Sequence, residues 1–118
     1  MNDSTTTIEQ LKKQVRDFVT ARNWQQYHTP KSLAMAIAIE AAELMEPFLW
    51  CENNATDVIT KKRAHIEDEL ADIAITLMNF CQTNDIDLSK AIDRKITKIA
   101  KKYPIEKSYG KPDKYTDL

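Results

Sequence analysis

One glycine, Gly110, stands in 118 residues, and nowhere do apolar and polar residues strictly alternate. Sheets built from hairpins need tight turns, and tight turns draw on glycine and asparagine-glycine pairs, so the scarcity argues against β-structure. Apolar residues recur instead at spacings of three and four. The sequence therefore predicts an all-α chain of four main helices.

Thr6 followed by Glu9 reads as a capping box for a first helix reaching about Asn23, with Ile8, Leu11, Val15, Phe18 and Val19 on one face. Trp24 to Lys31 reads as an aromatic loop ending in Thr29-Pro30, after which Ser32 is placed to cap a second helix to about Glu46. Pro47 ends or bends it. The polar stretch CENNATD then leads to a long third helix from about Asp57 to Gln82, striped by Ile59, Ile66, Leu70, Ile73, Leu77 and Phe80. Asp87 is a cap for a fourth helix from Leu88 to about Lys102, and the tail IEKSYGKPDKYTDL is expected to be polar and extended. At 13.6 kDa the whole chain, residues 1–118, is expected to be one domain.

Two acidic pairs sit in the wrong surroundings. Glu40 and Glu43 share a quadrant of the second helix with Leu33, Ile37 and Leu44, and on the third Glu69 borders the apolar stripe with Asp72 one step further round. Glu-x-x-Glu is common on solvated helix faces, but unpaired carboxylates beside apolar residues are costly. If the two helices pack antiparallel, four acidic groups converge, and a cation must lie between them. The ligands are hard oxygens, and neither His28 nor His65 follows a glutamate by three as a di-iron bundle requires. The reading is Mg²⁺, with Mn²⁺ as the alternative. Mg²⁺ on a few carboxylates completes its shell with water and substrate phosphates, which points to a nucleotide.

The overall charge narrows the partners. With 17 Lys and Arg against 18 Asp and Glu, the net charge of −1 provides no attraction to a nucleic acid polymer or an anionic membrane. The longest apolar run, Leu33 to Ile39, is far short of the ~20 residues that cross a bilayer. The polar start MNDSTTTIEQ lacks a signal segment, and Cys51 and Cys81 are expected to be free thiols of a cytoplasmic protein. On the third helix Ala71, Ile75 and Met78 form a second apolar patch, so self-association is expected to complete the fold.

From RDFVTARNWQQYHTPKSLAMAIAIEAAEL through ELADIAITL to KKYPIEKSYGKPDKYTDL, the chain resembles the MazG-like, all-α nucleoside triphosphate pyrophosphatases, and among them the dCTP pyrophosphatase-like branch. The resemblance implies a MazG-type, four-helix bundle-like fold and oligomers, dimers or tetramers with the tetramer favoured, whose sites draw on neighbouring subunits. It maps Glu40, Glu43, Glu69 and Asp72 onto the family's Mg²⁺ ligands and catalytic carboxylates. It makes Trp24, Trp50 and His28 a base pocket, and matches Lys95 and Tyr103-Pro104 of the last helix. Ile99 stands where the family often has asparagine. With the Lys111 to Tyr115 tail, Lys114 and Tyr115 included, Lys95 is expected to hold phosphate. The implied reaction is hydrolysis of a nucleoside triphosphate such as dCTP between its α- and β-phosphates, in nucleotide house-cleaning.

Two other classes fit the residues. A non-catalytic nucleotide-binding or helical oligomerisation module would be stabilised by metal without forming product. A structural bundle whose acidic pairs meet lysines would show no metal response.

Overall fold

The computed structural model describes residues 1–52 and 56–118, with only the backbone of Thr56. These residues form helices and turns, and no strand occurs among them. The helices are α1 (Ile8–Ala21), α2 (Pro30–Met45), α3 (Thr56–Lys61), α4 (Arg63–Thr83), α5 (Leu88–Lys102) and α6 (Ile105–Ser108). Three-residue 3₁₀ turns occur at Gln25–Tyr27, Glu46–Phe48 and Tyr115–Asp117. Part of the CENNATD linker, residues 53–55, lies outside the described residues.

The capping residues differ from expectation by small steps. Thr7, not Thr6, begins α1: the Gln10 N–H donates to Thr7 Oγ1 (3.1 Å) and the Thr7 N–H to Gln10 Oε1 (2.7 Å). In a run of three threonines, Thr7 has a side-chain acceptor three residues on at Gln10, while the Thr6 hydroxyl takes the Asn2 N–H (3.2 Å). Thr29 rather than Ser32 caps α2, accepting from the Ser32 N–H at 3.2 Å, because Pro30 fits the first helical position. Asp87 caps α5 as expected, through Oδ1 and the Lys90 N–H (2.9 Å).

The single long third helix is divided at Lys62 (φ −115°, ψ 27°) into α3 and α4. Neither proline nor glycine stands there, and nothing in the structure explains the break. The tail is extended in part but carries α6 and a last 3₁₀ turn. It reverses through Gly110, whose φ of +71° suits a residue without a Cβ.

The chain divides into two units, Met1–Asp85 and Ile86–Leu118. In the first, α4 is the central element, packed against both α1 and α2. Val15 and Val19 of α1, Leu33 of α2, and Ile66, Met78 and Cys81 of α4 form its core. The apolar periodicity is satisfied only partly, since Phe18, Met35, Ile39 and Leu70 remain exposed. The patch expected on the third helix splits: Met78 is buried, whereas Ile75 is 50% exposed. In the second unit α5 is amphipathic, and Ser108 Oγ donates to the Tyr103 and Pro104 carbonyls to close the turn into the tail.

Candidate functional site

Helical spacing places Glu40 and Glu43 on one side of α2, and Glu69 and Asp72 on one side of α4, and the packing of these two helices brings the pairs together. One carboxylate oxygen from each of Glu40, Glu43 and Glu69 lies within 4.8 Å of the other two. Asp72 is exposed at the margin of this group, close enough for its charge to act on both Glu40 and Glu69. Glu69 is only 9% exposed.

The electrostatics follow from the crowding. Burial pushes the Glu40 carboxyl above its ordinary range, and the adjoining Glu43 carboxylate adds to the effect, followed by the charges of Asp72 and Glu69. Glu69 is raised by burial and then by the charge of Glu43, against which His65 pulls the other way. His65 Nε2 lies 3.8 Å from Glu69 Oε1, one turn back on the same helix. The Oε2 atoms of Glu40 and Glu69 are buried without a hydrogen-bond partner. Buried carboxylate oxygens left unpaired within a tight group of glutamates fit a divalent cation, since such an ion supplies what the protein does not. The three glutamates, with Asp72 beside them, are therefore an acidic cluster able to hold a metal.

Trp24 is placed by the way α1 ends. Asn23 takes the left-handed conformation (φ +53°), its N–H donates to the Thr20 carbonyl (3.0 Å), and the Trp24 N–H reaches back to Val19 (3.1 Å). This is a Schellman ending, which turns the chain sharply and sets Trp24 against the helix it leaves. Its ring meets Phe18 edge-on (5.8 Å, 70°) and His28 likewise (6.3 Å, 64°), with the Arg22 guanidinium 3.6 Å from the Phe18 centroid.

Trp24 and His28 line a cavity of about 540 Å³ between α1, α2 and α4, whose walls are mostly apolar, among them Val15, Leu33 and Ile75. The cavity includes Ala36 of α2 and Thr76 of α4. Ala36 lies one turn before Glu40, and Thr76 one turn after Asp72, so the cavity borders the acidic cluster along both helices.

Trp50 is not with Trp24. It follows the Glu46–Phe48 turn with φ +64° and is 94% exposed, lining a separate depression with Met45, Phe48 and Leu49. In the second unit, Tyr103 and Tyr115 meet edge-on (5.9 Å, 80°), and the Tyr115 N–H donates to Tyr103 Oη (3.2 Å). Lys114 precedes the last 3₁₀ turn, and Lys102 Nζ lies 4.7 Å from the Tyr115 ring centroid. Lys95 and Ile99 are exposed on α5.

The sequence did not single out the cavity's buried amide. Asn79, buried on α4, has its Nδ2 2.9 Å from His28 Nδ1. Its only signal in the sequence is an amide inside the run LMNF, one turn after Ile75 of the second apolar patch.

Among the described residues, no helix is long and apolar enough to cross a membrane. The MazG-like family model matches residues 35–118. The dCTP pyrophosphatase 1 of Rattus norvegicus is 33% identical over 115 residues, covering 95% of this chain and 68% of that protein, and the Homo sapiens counterpart is 30% identical over the same span. The crystal structure of a pyrophosphatase from Archaeoglobus fulgidus superposes with a TM-score of 0.81 at 36% identity, over 88% of this chain and 98% of the other. With helical architecture and sequence in agreement over most of its length, this chain belongs to the MazG-like family.

Proposed function

We propose that the protein is a Mg²⁺-dependent nucleoside triphosphate pyrophosphatase that converts dCTP, or a related cytosine nucleotide, to the monophosphate and pyrophosphate. The observation that carries this reading is the group of Glu40, Glu43 and Glu69, with oxygens within 4.8 Å of one another, beside a cavity large enough for a nucleobase. The relatives named dCTP pyrophosphatase 1 support the substrate class.

Glu40, Glu43, Glu69 and Asp72 would hold the ion, which when bound neutralises phosphate charge and makes a water more acidic. The chain's own part is to position and to exclude. The cavity removes the base from water and gives it the Trp24 face, worth ~1–3 kcal/mol for a stacked base. A triphosphate extending from such a base runs along the turn of α2 and α4 that carries the carboxylates. Glu43, half-exposed in the group, is assigned to take the proton of the attacking water. Lys95 and Tyr103 are assigned to the phosphates on the family pattern, and Lys114 and Tyr115 as part of the Lys111 to Tyr115 tail. Trp50 would serve a base only in an oligomer that brings it to a neighbour's cavity, and self-association, as dimer or tetramer, is part of the proposal. The cytoplasm is the proposed site of action.

The test is pyrophosphate release from dCTP with Mg²⁺ by the protein and by Glu43→Gln and Glu69→Gln. Each variant is expected to lose at least ~100-fold in kcat, the scale on which one positioned charged group or general base acts. Undiminished turnover in either would remove the carboxylate cluster from the mechanism.

A further inference from the structure

Asn79 is 4% exposed, beside Ile75 and Met78 on the part of α4 that lines the cavity, and it touches a histidine 51 residues earlier in the chain. Its Oδ1 accepts from Gln82 Nε2 (2.7 Å) and from Thr83 Oγ1 (3.3 Å), so the amide oxygen is turned toward the end of α4. The other end, Nδ2, then carries the hydrogen toward His28 Nδ1 at 2.9 Å. A donor there requires the lone pair of Nδ1, and a neutral imidazole that accepts at Nδ1 keeps its proton on Nε2. Nε2 has no partner among the described residues, and the ring lines the apolar cavity.

We propose that Asn79 is a positioning residue which locks His28 as the Nε2–H tautomer, and that this makes the cavity select nucleobases presenting a hydrogen-bond acceptor to His28. The proposal rests on the reading of the cavity as a base subsite. A mostly apolar pocket takes its specificity from its few polar groups. A pyrimidine carbonyl or an unprotonated ring nitrogen satisfies Nε2–H. An exocyclic amino group would set donor against donor and leave both unpaired away from water, which is the costly case. For a cytosine the acceptor edge, O2 and N3, therefore faces His28, and the amino group points elsewhere.

Reversing the Asn79 and Gln82 amides together would keep the same distances but place the proton on Nδ1 and make Nε2 an acceptor. The two polarities are separable by experiment. In the full chain labelled with ¹⁵N-histidine, long-range ¹H–¹⁵N correlation at neutral pH reports which ring nitrogen is protonated, with His28 and His65 distinguished by a His65→Gln chain. The expected pattern is a protonated Nε2 and a bare Nδ1. Asn79→Asp, which offers only acceptors, is expected to move a proton onto Nδ1 and to raise the KM for dCTP about tenfold, one hydrogen bond of ~1.4 kcal/mol, with kcat little changed.

Replacing the acceptors singly, with the 3-deaza or 2-thio cytosine nucleotide, should raise KM in the native chain for one analogue and leave Asn79→Asp indifferent to it. A native ring protonated at Nδ1 overturns the lock. An Nε2–H ring together with an unaltered KM in folded Asn79→Asp overturns the selection. If dCTP shifts the His28 resonances while no triphosphate is turned over, the enzymatic reading fails and this one stands. If dCTP leaves those resonances unmoved, the cavity is not the base subsite and the proposal falls.

Discussion

Replacing Glu69 with glutamine should stabilise the metal-free protein and abolish its response to Mg²⁺. In the folded chain the Glu69 carboxyl is raised above its ordinary value of 4.5 by burial and by Glu43, with Asp72 contributing. A group whose folded-state pKa is raised contributes stability that is complete below the unfolded-state value. That contribution is lost as pH climbs through the folded-state value. Glu40 is raised in the same sense, so the metal-free wild type should weaken from about pH 4.5 toward neutrality. Glutamine removes one charge from the group and gives Glu43 or Glu40 a donor. At pH 7 without metal, Glu69→Gln should therefore melt above the wild type. Divalent ion reverses the order: at a concentration of 100 Kd, linkage adds ~2.7 kcal/mol to a protein that binds only when folded, about 10 °C for a domain of this size. The assay is thermal unfolding by circular dichroism at pH 4.5 and 7, each with Mg²⁺ and with chelator. An equal Mg²⁺-induced rise in both proteins would refute the reasoning, as would a metal-free wild type more stable than the variant at pH 7.

Two further outcomes follow from the geometry around Trp24. Trp24→Ala should raise the KM for dCTP about tenfold or more through the lost stacking face, leaving kcat nearly unchanged, as steady-state kinetics would show. Asn23→Ala should destabilise the fold by ~1 kcal/mol, because at φ +53° alanine lacks the short polar side chain that lets asparagine tolerate the left-handed conformation, while Asn23→Gly should be neutral or better in denaturant melts.

The local parts of this protein were legible from residue order. Scarce glycine and the three-and-four spacing of apolar residues specify helices, and these depend only on contacts within a turn or two of the chain. The acidic pairs could be recognised for the same reason, since spacing by three puts two carboxylates on one side of a helix whatever surrounds it. The caps were displaced by one to three residues because neighbouring threonine and serine hydroxyls compete, and the backbone geometry chooses among them. Nothing in the residue order foretold the break at Lys62.

What depended on packing was which groups meet. The convergence of Glu40, Glu43 and Glu69 required α2 and α4 to lie against each other, and the same packing left Asp72 at the margin. The separation of Trp50 from Trp24 was equally hidden, since it turns on the left-handed residues Asn23 and Trp50 and not on helical periodicity. Asn79 and His28 are 51 residues apart, and their hydrogen bond exists only because the loop after α1 folds back onto α4. Short-range order writes helices and their faces into the chain, whereas a site made of long-range contacts comes into being only when those faces close on one another.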